Sequence, residues 1–108
     1  MDTALRVAAL MRQVSLAGGF ATLLRRGDEA RGDILIQVRG RDDVATWGVE
    51  GQLPSADGQR AARFVDLSAR VGTDPHAADA YASRRVAADP DLWIVELEGV
   101  DAARVLNP

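Results

Sequence analysis

Asp89-Pro90-Asp91-Leu92-Trp93-Ile94-Val95-Glu96-Leu97-Glu98 is the stretch that decides the fold. Proline disfavours helical geometry in the residue before it, and a proline flanked by aspartates suits the second position of a β-turn. A helix reaching this point therefore ends at Asp89. The next seven residues alternate as a strand does, with Trp93, Val95 and Leu97 on one side and Leu92, Ile94, Glu96 and Glu98 on the other.

Upstream, Thr73 or Asp74 can cap a helix that has Pro75 at its first position, where the missing N–H costs nothing, and the pattern runs to about Ala88. Another helix opens the chain. From Thr3 to Ala17 there is no glycine or proline, Ala4, Val7, Leu10, Met11 and Val14 recur at helical spacing, and Gly18-Gly19 ends the run. Phe20 to Arg26 reads as a strand, Gly27 to Gly32 as a polar turn, and Asp33 to Arg39 as a second strand, the two forming a hairpin. Arg41-Asp42-Asp43 turns into a third strand, Val44 to Glu50. Gly51 to Arg60 has the composition of an exposed loop, Arg63 to Leu67 reads as a fourth strand, and Val105-Leu106 as a short edge strand. This order predicts one domain over residues 1–108, of class α+β. Its architecture is two-layer, with a mostly antiparallel five- or six-stranded sheet and two helices on one face.

Composition narrows the function. A chain of 108 residues hides roughly 65% of its unfolded surface when it folds, and 47% apolar with 27% charged residues is an ordinary globular balance. The net charge of −3 argues against broad nucleic-acid binding, which leaves a basic footprint. All 13 basic residues are arginine, so there is no ammonium for a phosphate loop or a Schiff base. Cysteine is absent and His76 stands alone, so no cofactor and no structural metal is expected. The first residues lack a basic segment followed by an apolar run, and no 18-residue apolar stretch occurs, which predicts a cytoplasmic protein with no membrane partner.

Ala17-Gly18-Gly19-Phe20-Ala21, then Arg25-Arg26-Gly27-Asp28, Tyr81 to Arg85, and the Asp89 to Glu98 stretch occur in that order. Together they resemble a bacterial family catalogued as domain of unknown function 1491, over nearly the whole chain. The Asp-Pro-Asp-Leu-Trp run with its acidic tail is the most specific part. The chain departs from the family pattern at Arg12-Gln13, where an arginine pair is usual. The resemblance implies a small protein with no assigned activity, cofactor or catalytic residue.

Several constellations invite a function and also have a plain reading. Arg26-Gly27-Asp28 spells an adhesion tripeptide, and equally a glycine-assisted turn. His76 and Asp79 lie three apart on a helix, and Ser55, Ser68 or Ser83 could complete a hydrolase-like set, yet no nucleophile-elbow glycines surround these serines. Glu96 and Glu98 share a strand face about 7 Å apart, close enough for acid–base work or for pairing with arginine. Trp47 and Trp93 alternate with apolar neighbours, the setting of core aromatics.

Two functions follow. The leading one is a non-enzymatic interaction or regulatory module that self-associates as a homodimer through surplus apolar residues. These are Leu5, Ala9 and Leu16 on the back of the first helix, and Leu35, Leu92 and Ile94 on strand faces opposite their main apolar rows. The alternative is an anion site built from Arg84, Arg85, Tyr81, Glu96 and Glu98. At about 100° per residue, Ala77, Ala80, Tyr81, Ala87 and Ala88 share a face centred on Arg84, which predicts a partly buried Arg84 paired with Glu96 or Glu98. A competing face through Ala78, Ala82 and Val86 would leave Arg84 in solvent.

Overall fold

The computed structural model of the chain describes residues 2–54 and 60–108. Helix α1 spans Thr3–Leu16; the Asp2 carboxylate caps it, accepting from the Leu5 N–H at 2.9 Å. Gly18 closes it in the left-handed conformation at φ +87°, which a side chain rarely adopts. The buried stripe is Thr3, Val7, Leu10 and Val14, with Ala4 and Met11 packed partly against the same core. Strands β1 (Phe20–Arg25), β2 (Ile34–Arg39), β3 (Val44–Pro54) and β4 (Arg60–Asp66) follow. A short helix α2 (Ser68–Val71) precedes α3 (Pro75–Ala88), then β5 (Trp93–Glu98) and α4 (Ala102–Leu106).

The five strands form one sheet in the order β1-β5-β2-β3-β4. Among the described residues only the β2–β5 pair is parallel, so the α+β class and the mostly antiparallel sheet expected from sequence both hold. The expected β1–β2 hairpin does not form. β5 lies between them, pairing β1 antiparallel on one side and β2 parallel on the other. The reason is hydrophobic: β5 is buried on both faces through Trp93, Ile94, Val95 and Leu97, and a strand of that kind is driven to the middle of a sheet.

The two-layer expectation is also corrected. Ile34, Ile36, Trp93, Val95 and Leu97 pack with Val7, Leu10 and Val14 of α1 and Leu106 of α4. The alternate residues of the same strands, Leu35 and Ile94, pack with Leu92 and with Ala82 of α3, flanked by Tyr81 and Val86. Because strand side chains alternate between faces, α1 and α3 lie on opposite sides of the sheet. Leu35, Leu92 and Ile94, read from sequence as interface residues, are the floor under α3 and 7% exposed at most.

Several elements and boundaries differ from the sequence reading. β3 runs on to Pro54 and β4 starts at Arg60, so the ends of the expected loop belong to a β3–β4 hairpin. α2 occupies the stretch after β4, where no element was expected. Val105-Leu106 belongs to a helix, not to a strand: Asp101 caps α4 by accepting from the Arg104 N–H at 3.4 Å, and the Ala-Ala-Arg start favours helix.

Candidate functional site

The glycines at 27 and 32 let two distant parts of the chain meet. A Cβ at either position would overlap the Asp91 carbonyl oxygen and the Trp93 ring. In the space they leave, the Trp93 indole N–H donates to the Asp28 carbonyl at 2.7 Å, and the Asp28 N–H donates to the Asp91 carbonyl at 3.0 Å. Arg26 stacks over the Trp93 ring at 5.2 Å and pairs with Glu29. Arg25 donates to the carbonyls of Pro90 and Leu92 at 2.9 and 2.7 Å. The Asp28 carboxylate accepts from the N–H groups of Ala30 and Arg31. The Arg-Gly-Asp tripeptide is thus a clasp that ties the β1–β2 connection to the turn before β5. Within that turn the Asp89 carboxylate accepts from the Asp91 N–H at 3.0 Å.

A second cluster stands on the α3 side of the sheet. α2 ends beside the middle of α3, which brings Arg70 to Tyr81. The phenol oxygen accepts from Arg70 Nη2 at 3.3 Å and from Arg85 Nη1 at 3.2 Å. Arg85 Nη2 reaches Asp33 Oδ2, just before β2, at 3.0 Å. The guanidinium carbons of Arg84 and Arg85 lie 5.9 and 5.8 Å from the centre of the Tyr81 ring, within cation–π range. Burial pushes the Tyr81 phenol up, but the hydrogen bonds and charges of Arg85 and Arg70 outweigh it and hold the phenol below its ordinary value.

Arg84 itself departs from the sequence reading. It is exposed, and α3 buries Ala78 and Ala82 instead, with Tyr81, Arg85 and Val86 half-buried. The competing face is the true one: Ala78 and Ala82 are buried, and Ala82 packs against Leu35 and Ile94, a berth a guanidinium would fill with uncompensated charge. Tyr81 is not stranded by this choice, because Arg70 and Arg85 hydrogen-bond to its oxygen.

The carboxylates expected beside Arg84 are elsewhere. Glu96 pairs with Arg39, with Arg39 Nε 3.3 Å from Glu96 Oε1, and this contact raises the Arg39 guanidinium further above its already high value through the Glu96 hydrogen bond and charge. Glu98 is exposed at the end of β5. The structure therefore joins Tyr81, Arg84 and Arg85 and adds Arg70 and Asp33, which the sequence reading missed. Both missed residues sit next to element boundaries, where spacing carries no signal.

The hydrolase-like set does not assemble. His76 and Asp79 are exposed with no hydrogen bond between them among the described residues, the Ser68 hydroxyl accepts from the Thr46 N–H, Ser83 is exposed, and Ser55 lies outside the described residues. Trp93 and Trp47 pack in the core. Among the described residues, no group of three or more histidine or acidic residues is placed to hold a metal ion, and no helix is long and apolar enough to cross a membrane. An open cleft of about 600 Å³ lies between the end of α1 and α4, lined by Gln13, Ala17, Asp101 and Arg104 among others, and contains none of the Tyr81 cluster.

These features define a class: a small α+β domain with a mixed sheet, helices on both faces, and an Arg-Gly-Asp clasp tying the β1–β2 connection to the turn before β5. The chain belongs to the family described as protein of unknown function, DUF1491, which matches residues 1–107. Solved structures agree. The chain is similar to protein Atu0922 from A. tumefaciens, a solution structure, with 31% identity over 98% of this chain and 92% of that one and a TM-score of 0.82. It is similar to a DUF1491 family protein from Caulobacter crescentus CB15 in a crystal structure, with 33% identity over 99% and 95% of the two chains and a TM-score of 0.75. An NMR structure of a DUF1491 family protein from that organism gives 32% identity over 99% and 93%, with a TM-score of 0.72. No curated protein matches the chain.

Proposed function

We propose that this protein is a cytoplasmic, non-enzymatic interaction or regulatory module that works as a homodimer, joined through the free edge of β1 and the back of α1. The observation that carries this reading is the character of that edge. β1 is an outer strand of the sheet, so among the described residues one row of its backbone N–H and C=O groups has no strand partner. Its tract Phe20-Ala21-Thr22-Leu23-Leu24 has no charge and no proline. Phe20 is 73% exposed, Leu24 48% and Leu23 38%, and Leu16 at the end of α1 is 71% exposed.

Proteins usually protect such an edge with lysine, proline, an inward charge or a β-bulge; in β1 the register with β5 shifts only after Leu23, so Phe20 to Leu23 stays regular. A second copy suits it because an antiparallel pairing of β1 with itself sets one apolar tract against the same tract, as a two-fold interface requires. Leu5 and Ala9, exposed on the same helix as Leu16, extend the surface along α1.

Light scattering across a concentration series tests the reading. It should report twice the 11.5 kDa chain mass, and Phe20→Asp with Leu24→Arg should return the monomer without loss of fold, since both side chains are exposed. A monomer at high micromolar concentration would overturn the proposal.

A further inference from the structure

We infer that Arg70, Arg84 and Arg85, gathered around Tyr81 where α2 packs on α3, form a binding site for a phosphate monoester group. The inference is independent of the dimer. Two guanidinium groups, of Arg70 and Arg85, donate to the Tyr81 oxygen and a third, of Arg84, lies over its ring 5.9 Å from the centre; among the described residues the one carboxylate bonded within the cluster is Asp33, on Arg85. Among the described residues neither Arg70 nor Arg84 has a carboxylate within ion-pair distance. Two positive charges are thus left over at one spot on a chain whose net charge is −3. Like charges so close repel one another, and a dianion between them relieves that repulsion.

The donors are also unspent. The Tyr81 oxygen accepts twice, which uses both of its lone pairs, and its own proton has no acceptor among the described residues. Arg70 spends one of its five N–H donors on Tyr81, and Arg84 makes no hydrogen bond among the described residues. Asp33 holds Arg85 at 3.0 Å, so Arg85 can orient the phenol, while Arg70 and Arg84 are exposed to solvent. Planar guanidinium forks match the oxygen spacing of phosphate, and a phenol O–H adds a neutral donor to the same group. A carboxylate would neutralise only half of the excess charge. A phosphodiester, also a monoanion, is disfavoured for the same reason.

The cluster lies open at the surface, so a free phosphate ion and a phosphate carried on a larger molecule can both reach it. Inorganic phosphate and phosphoserine, each titrated into the isotopically labelled chain at constant ionic strength against chloride, separate these sources. Saturable shifts of the amide resonances of residues 70–71 and 81–85 are expected with one or both probes, and phosphoserine binding more tightly would identify the carried group. Arg84→Gln should weaken binding about tenfold, as should Arg70→Gln, the loss typical of one charge-assisted contact. Arg84 is exposed, so that variant keeps the fold, and Arg104→Gln beside the distant cleft should change nothing. Shifts that never saturate, that chloride reproduces, or that survive both Arg84→Gln and Arg70→Gln would overturn the proposal.

Discussion

The Trp93 indole N–H donates to the backbone carbonyl of Asp28 at 2.7 Å, across 65 residues of sequence. This bond lies where three segments converge: the β1–β2 connection, the turn before β5, and the start of α1. Thr3 Oγ1 donates to the Gly32 carbonyl at 2.9 Å and the Ala4 N–H to the Glu29 carbonyl at the same distance, so the first turn of α1 is docked on the same loop.

Gly27→Ala should destabilise the protein by about 2–4 kcal/mol, because its Cβ would overlap backbone at Asp91 as well as the Trp93 ring, and backbone moves only with its neighbours. Urea denaturation measures the change. A loss below about 0.5 kcal/mol, the scale of a neutral surface substitution, would show that the clasp opens easily.

Tyr81 is the chain's single tyrosine, so an ultraviolet titration reads it directly. The phenol should ionise below the ordinary value of about 10, and Arg70→Gln or Arg85→Gln should move its midpoint upward. The sign for stability follows from linkage. A folded-state value below the unfolded one means that the unfolded chain holds more protons between the two values, so this group adds stability as pH rises through that window and loses it as pH falls through the folded-state value. A midpoint that ignores both arginine substitutions would refute the assignment.

Arg84→Ala should change stability by no more than about 0.5 kcal/mol, since the side chain is exposed and its contact is the face of Tyr81. Four residues along the helix axis from the buried stripe's start the outcome reverses: Ala82→Leu should cost about 1–3 kcal/mol by forcing α3 away from Leu35 and Ile94. Thermal melts of the pair check both, and equal effects would mean that α3 is rotated from the orientation described.

Thr46 is fully buried on β3, and its hydroxyl has no hydrogen-bond partner among the described residues. Thr46→Val keeps the branched shape that strands favour and removes the unmet polar group, so it should leave stability unchanged or raise it by about 1 kcal/mol. Calorimetry decides; a marked fall in Tm would reveal a bond to the hydroxyl.

What could be read along the chain was whatever local chemistry controls. Asp74, one of the two caps the sequence offers, caps α3, Gly18 ends the first helix, and the alternation from Trp93 to Leu97 marks β5, because caps, turns and strand periodicity depend on residues within a few positions of one another. The family could be read there too, since Arg25-Arg26-Gly27-Asp28 and Asp89 to Trp93 are contiguous runs. Yet those runs look like two unrelated turns until the fold presses Gly27 against Asp91. The place of β5 between β1 and β2, the side of the sheet that α3 covers, and the meeting of Arg70 with Tyr81 were decided by tertiary packing alone. Leu35, Leu92 and Ile94 announced a second apolar face, but apolar residues say only that something covers them, and α3 or a second copy of the chain would satisfy them equally. Likewise the alanines of α3 offer two faces of nearly equal hydrophobicity, and close approach to Leu35 and Ile94 selects the one through Ala78 and Ala82. That selection turns Arg84 outward and brings Arg85 to Asp33.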